Sequence, residues 1–391
     1  MLNILKKSRA AAAFAMLLAL CAGQALAQAS KNTQIRFENV ADSTQGLSDF
    51  SQFPAINSQG SVAFVATQDG TEQKVFRSTR QQQNAIASTA TNPFTFFTDD
   101  VVINDAGVVG FRALVSTGPR AAGIFTSDGV ITKTIVNSAD QGFPGFGIGT
   151  PSINASGTVA FQAFRSGFRS NVIFTGNGGS ITPVLDTLTS DFETFGAVAI
   201  NASGKIVFEG VATDRSSGIF LVKTNSNTEG VAGAELPNVI DVIDTNNHPE
   251  FFQFGDPVIN NAGRVADFAA GGTTIEVFSG NGRGITARND PANNPFIDLE
   301  HPSMNNHGAV AFSALEANGA QDIFVELTGG ASLVPVLRTG DPLFGSTVTA
   351  VSVGRFAFND HFRLVFEYEL LDGRSGIAVA VLPGHEENED E

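Results

Sequence analysis

One phrase, close to Ile-Asn-x-x-Gly-x-Val-Ala-Phe, recurs along the chain and leaves little choice of architecture. It runs Ile56-Asn57…Gly60…Phe64, Ile103-Asn104…Gly107…Phe111, Ile153-Asn154…Gly157…Phe161 and Ile200-Asn201…Gly204…Phe208. Degraded copies follow at Asn260…Gly263, Asn305…Gly308…Phe312 and Asn359…Phe366. Successive motif asparagines are 47, 50, 47, 59, 45 and 54 residues apart. Self-similarity at this period marks an array or a propeller.

Each unit carries further recognisable pieces. Within about 20 residues of the asparagine comes a short strand ending in Phe, such as Ile124-Phe125 or Ile219-Phe220. A hairpin turn often follows, as in Ser127-Asp128-Gly129 or Gly280-Asn281-Gly282, because Gly and Asn tolerate positive φ. Next is a strand such as Ile181–Leu185, then a loop leading to the next motif. The motif itself is a hairpin, with Asn-x-x-Gly turning the chain and the returning strand alternating. The unit is therefore four short antiparallel strands, one propeller blade. A β-solenoid coil would need a shorter period, and a sandwich would not repeat sevenfold.

The expected fold is all-β: a seven-bladed β-propeller with four-stranded antiparallel blades. The last blade ends at Ile377–Leu382, one strand short, while Ile35–Asp42 stands unassigned ahead of the first motif. Residues 33–42 are therefore expected to serve as the outer strand of the final blade, closing the ring and removing its open edge. The aromatic composition suits such a ring: 34 Phe, one Tyr and no Trp. Phe can pack blade against blade with no hydrogen-bond partner to find.

The two ends are read separately. Lys6, Lys7 and Arg9 precede an apolar run from Ala10 to Leu20, and Ala25-Leu26-Ala27 forms a small-residue cleavage site. Residues 1–27 are thus expected to be a Sec-type signal peptide cleaved near Ala27, residues 28–383 the propeller, and residues 384–391 an acidic, disordered tail. Secretion or a periplasmic location follows. The apolar run is too short to span a bilayer, and no later stretch could, so no transmembrane segment is expected in the mature form. Cys21, the only cysteine, lies within the leader, and Leu20 stands where a lipid-attachment site needs a small residue. The mature chain then has no disulfide, thiolate nucleophile or Cys-ligated metal. Losing Lys6, Lys7 and Arg9 takes the formal charge from −16 to −19, which argues against nucleic acid as a partner.

The repeated Asn-x-x-Gly-x-x-Ala-Phe phrase, with the later Gly255-Asp256-Pro257 and Gly340-Asp341-Pro342, resembles the NxxGxxxAF tandem-repeat proteins of the "choice-of-anchor" type. The resemblance covers residues 33–382. It implies an exported, propeller-like bacterial protein, often held at the surface by a C-terminal sorting signal, and it implies no catalytic residues. This chain departs from that pattern in its acidic end, in Asp267 where Phe is expected, and in Phe362 where Gly is expected.

Topology sorts the residues by rim. The Asn-x-x-Gly turns lie on one rim; the loops between second and third strands and between blades lie on the other, where variable loops favour function. That second rim carries Arg120, Arg165, Arg169, Arg215 and Arg374, and Asp99, Asp100, Asp191, Glu193, His248, Glu250, Asp256, Asp298, Glu300 and His301. Arg165, Arg169, Arg215 and Glu300 are the candidate ligand-binding residues, for a surface polysaccharide or another exported protein. The expected function is a binding or scaffolding module, with the chain a monomer. The alternative is a uronate polysaccharide lyase, in which His301 or His248 and the single phenol Tyr368 act as acid and base. A structural matrix protein is a third possibility. No nucleophile elbow, zinc-protease motif or calcium loop occurs, so no metal and no cofactor are expected.

Overall fold

The computed structural model describes residues 34–383, apart from 92, 117–120, 139–142, 144, 147–149, 166–168, 224–238, 273, 288–295 and 328–332. The leader, Arg120 and the acidic tail lie outside the described residues. Seven antiparallel sheets follow one another along the chain, at 47–88, 94–137, 145–186, 192–244, 253–287, 296–337 and 342–381; they are blades 1 to 7. Each places its motif hairpin between the first and second strands, as in Val101–Ile103 against Val109–Phe111.

The ring closes as the sequence predicts. The strand Arg36–Asp42 pairs antiparallel with Ser375–Val381, from Arg36↔Val381 to Asp42↔Gly376. It becomes the outer strand of blade 7. Arg363 and Glu38 form an ion pair across the seam, and Tyr368 donates its hydroxyl to Asn39 at 3.2 Å.

The core lies between blades. In five blades the motif Phe stacks on a Phe of the third strand: Phe64–Phe76, Phe111–Phe125, Phe161–Phe174, Phe208–Phe220 and Phe312–Phe324, with centroids 5.2 to 6.0 Å apart. Each pair faces small and branched side chains of a neighbouring blade. Phe111 and Phe125 meet Ala63, Val65 and Val75 of blade 1; Phe208 and Phe220 meet Ala160 and Ile173 of blade 3. Burying one such Phe contributes about 2–3 kcal/mol.

The motif asparagine does more than turn the chain. Its Oδ1 accepts the amide four residues on, as from Val108 to Asn104 at 3.0 Å, and the motif glycine takes positive φ, 75° at Gly107. Its Nδ2 donates to the carbonyl of the next blade's asparagine. The sequence runs Asn57 to Asn104 (2.9 Å), Asn104 to Asn154 (3.1 Å), Asn154 to Asn201 (3.4 Å), Asn201 to Asn260 (3.0 Å), Asn260 to Asn305 (3.4 Å), Asn305 to Asn359 (3.3 Å) and Asn359 back to Asn57 (2.9 Å). A closed circuit of seven side-chain amides joins the blades. Even the departing copy keeps it: Phe362 adopts φ 54° in the glycine's place, and its ring packs on Phe358 and His307.

Candidate functional site

The inner strand of every blade breaks its pairing just ahead of the motif. In blade 1 it splits into Leu47–Ser48 and Ala55–Ile56, in blade 5 into Gln253–Phe254 and Val258–Ile259. Blades 2 and 4 bulge instead, between Phe97 and Val101 and between Phe195 and Val198. Such irregularities re-aim side chains. They bring one residue per blade, four positions before the motif asparagine, to a common level of the inner strands: Phe53, Asp100, Thr150, Ala197, Asp256, His301 and Arg355. That level lies about 13 Å from the asparagine rim along the strand. The repeat dictates no residue type there.

Arg355 dominates this ring. It enters from blade 7 and crosses to the far side, where Nη2 donates to the carbonyls of Val198 in blade 4 (3.1 Å) and Pro257 in blade 5 (2.5 Å). Its guanidinium lies 5.3 Å from the Phe356 ring, and Phe356 packs against apolar clusters of the blade 1–2, 4–5 and 5–6 interfaces. Together the two residues close the centre of the ring. Arg355 is 5% exposed. Its Nε and Nη1 have no hydrogen-bond partner among the described residues.

Acidic groups surround it. Asp100 accepts a hydrogen bond from Thr150, but burial is the stronger influence and pushes its carboxyl up, with Asp256 adding to the rise and Arg355 and His301 opposing it. His301 Nδ1 stands 3.8 Å from Asp256 Oδ2, too far for a hydrogen bond, and is buried without a partner; the His301 ring meets Phe53 edge-on. Glu209, from the second strand of blade 4, is pushed up to about 7 by burial and by Asp256. Asp267 occupies the Phe position of blade 5, fully buried, and accepts from the amides of Gly255 and Phe268. Burial holds it well above the usual carboxylate range, reinforced by Asp256 and Glu209. Desolvation disfavours the charged form in each case. No group of three or more His, Cys, Asp or Glu among the described residues could hold a metal.

The other candidates scatter. Tyr368 is fully buried in blade 7, bonded to Asn39 and in contact with Phe344; burial pushes its phenol up, away from use as a base. His248 pairs with Glu250 at 3.0 Å in the loop entering blade 5. The fold therefore does not bring Tyr368, His248 and His301 together. Arg165 lies over the Phe174 ring at 4.7 Å, Arg169 and Arg215 are exposed on loops between second and third strands, and none of the three belongs to the inner-strand ring. Glu300 is half-buried and saturated: it accepts from Ser313, from Ser352 at 3.0 Å and from Gln321 at 2.8 Å, bridging blades 6 and 7. Of the seven, only His301 stands in the ring. Arg355, Glu209 and Asp267 were not picked out as site residues from the sequence; the signal that finds them is register, four before Asn359 for Arg355, one after the motif Phe for Glu209, and in the Phe slot itself for Asp267.

The opposite mouth differs in kind. A basin of about 170 Å³ is lined by the motif asparagines, Ile103, Ile153, Met304 and Phe358, with Phe356 and Arg355 at its base. Its lip carboxylates are engaged: Asp105 accepts from Ser58, and Asp360 from Asn306.

Solved structures share the architecture at low identity. The propeller domain of the Trilobed protease from Pyrococcus furiosus aligns with TM-score 0.53 and 13% identity, over 85% of this chain and 92% of that one. It is described as having an open velcro topology, whereas here an N-terminal strand completes the last blade. Prolyl endopeptidases align with TM-score 0.55 and 12% identity, over 86% of this chain and 47% of theirs. Prolyl oligopeptidase B from Galerina marginata gives 0.52 and 10%, over 83% and 47%. The chain spans about half the length of these prolyl peptidases, and the likeness shows the propeller fold. No curated protein matches the sequence. The chain belongs to a family of unknown function (DUF7453), whose model matches residues 90–342.

Proposed function

We propose that the protein is an exported propeller that works as a binding module at the cell surface or in the periplasm, taking its ligand at the channel mouth opposite the asparagine turns. One observation carries this reading. Most blades agree on their asparagine, glycine and phenylalanine, yet four positions before the motif asparagine they present Asp100, Thr150, Asp256, His301 and Arg355 beside Phe53 and Ala197. A ring built for stability alone would fill that level with apolar side chains, because buried ionisable groups cost more than they return unless matched. The leader-like first 27 residues support export.

The asparagine mouth is the weaker candidate, since its polar groups bond to one another around the circuit. The test is to challenge residues 28–391 with surface polysaccharides and with exported proteins of the same cell, then to repeat it with Asp256→Asn/His301→Ala. Loss of binding in the double variant is expected. Retained binding, or cross-links that map to Asn57, Asn154 and Asn305, would refute the assignment. Uronate polymers should pass through unchanged, with no new unsaturated ends, because Tyr368 and His248 stand apart from His301 and the ring holds no phenol.

A further inference from the structure

Two polar clusters among the described residues are internally matched. The Glu300 node accepts from Ser313, Ser352 and Gln321, and the asparagine mouth bonds within its own circuit. The level of Arg355 differs. A guanidinium has five N–H groups; both hydrogens of Nη2 are taken by carbonyls, while Nε and Nη1 are buried and unmatched. No carboxylate among the described residues forms an ion pair with it, although Asp100 and Asp267 are close enough to feel its charge. His301 Nδ1 in the same ring is likewise buried and unmatched. Leaving the charged donors of Arg355 unmet costs more than an ordinary lost hydrogen bond.

Charge decides what can meet them. A simple anion would satisfy Arg355 but would face the carboxyls of Asp100 and Asp256 on the walls, in a chain of formal charge −16. A simple cation would suit the carboxylates and be repelled by Arg355. A group carrying both signs on one carbon suits both. Asp256 and His301 are partly exposed, at 21% and 31% of their side chains, as are Phe53 and Asp100, so these four stand where such a ligand would enter.

We infer that the ring binds a free α-amino acid, its carboxylate on the Nε and Nη1 hydrogens of Arg355 with His301 beside it, and its ammonium against Asp256 and Asp100. The ligand side chain points back toward the rim opposite the asparagine turns. This rests on the binding-module reading and gives it a ligand class. Arg355 holds two roles, tying blades 4 and 5 together through Nη2 and offering its remaining edge to the ligand.

The test is calorimetric titration of the protein, residues 28–391, with each common L-amino acid, with propionate as carboxylate alone, propylamine as ammonium alone and galacturonate as a hydroxy acid. Saturable binding of at least one amino acid is expected, with none for propionate or propylamine. Arg355→Met and Asp256→Asn should each weaken it at least about tenfold, the scale of one charged hydrogen bond. Should Arg355→Met fail to fold, Asp256→Asn and His301→Ala carry the decision, since the two side chains face each other at 3.8 Å and His301 meets Phe53 by its ring edge alone, with no hydrogen bond joining blades. Failure of every amino acid to bind, propionate binding equally well, or galacturonate binding in preference would overturn the zwitterion. A polysaccharide or protein that binds the rim and ignores Arg355→Met, Asp256→Asn and His301→Ala would overturn the amino-acid site while leaving the binding module standing.

Discussion

Replacing Asn104 with aspartate changes one atom of the amide circuit and tests what the circuit contributes. Asn104 is buried, accepts the amide of Val108 at 3.0 Å and donates to the carbonyl of Asn154 at 3.1 Å. Aspartate keeps the acceptor and loses the donor, setting a carboxylate oxygen against a carbonyl oxygen. The Asn154 carbonyl retains the amide of Gly157 at 3.0 Å, so the lost bond alone costs about 1 kcal/mol. Ionisation adds to this. A carboxylate buried beside a carbonyl has its folded pKa raised above the unfolded value of about 3.9, and each unit of rise costs about 1.4 kcal/mol once the group is ionised. For a rise of about 2 units the total reaches about 3–4 kcal/mol at pH 8. Below the unfolded pKa the acid is protonated in both states, and its hydroxyl can donate to Asn154. The deficit should therefore shrink below about 1 kcal/mol as the pH falls to about 4. Urea unfolding of wild type and Asn104→Asp, measured from pH 4 to 8, reads it directly. Asn104→Ala, losing two neutral bonds, should cost about 2 kcal/mol at every pH. A pH-independent deficit in Asn104→Asp, or none at pH 8, would refute the circuit as a stabilising element.

Two further outcomes follow from the fold. Deleting residues 31–42 strips the partner from Ser375–Val381 and leaves an open strand edge; size-exclusion chromatography should show dimers or aggregates, and an unchanged monomer with an unchanged melting transition would sink the closure argument. Glu209→Gln should stabilise the protein at pH 8 and be neutral near pH 4. Burial pushes Glu209 up to about 7, above the usual 4.5, so wild-type stability falls as pH rises through that window, by roughly 1–3 kcal/mol; thermal melts in which the variant's advantage does not grow with pH would contradict the burial of this carboxyl.

Much of this fold was legible because its signals are local and repeated. Asn-x-x-Gly specifies a turn, alternation specifies a strand, and a leftover strand at each end specifies closure. Phe at one fixed place per unit anticipated the blade-to-blade core. The circuit was hidden for a physical reason: the amide of Asn57 bonds a carbonyl 47 residues away, and nothing in the phrase itself says that copies touch. The site was legible only in part. His301, Asp100 and Asp256 stood out as polar residues near a rim, whereas Arg355, ahead of a degraded copy, did not stand out at all. Tyr368 drew attention as the single phenol, but uniqueness in composition reflects nothing about place, and its ring serves the closing seam of blade 7. Asp267 was visible as a departure from the motif, yet only the packing of Phe268 beside it shows that blade 5 turned its phenylalanine to the other face to admit a carboxyl.

A helix or a sheet always leaves donors and acceptors stranded at its ends, and these must be capped, solvated or hidden. The seven amides have no such terminus. Each asparagine gives to the next through its side-chain amide and receives from the last at its main-chain carbonyl, in one rotational sense. The ring thus joins its blades with no first and no last member, and so without the stranded donors and acceptors that a helix leaves at its two tips.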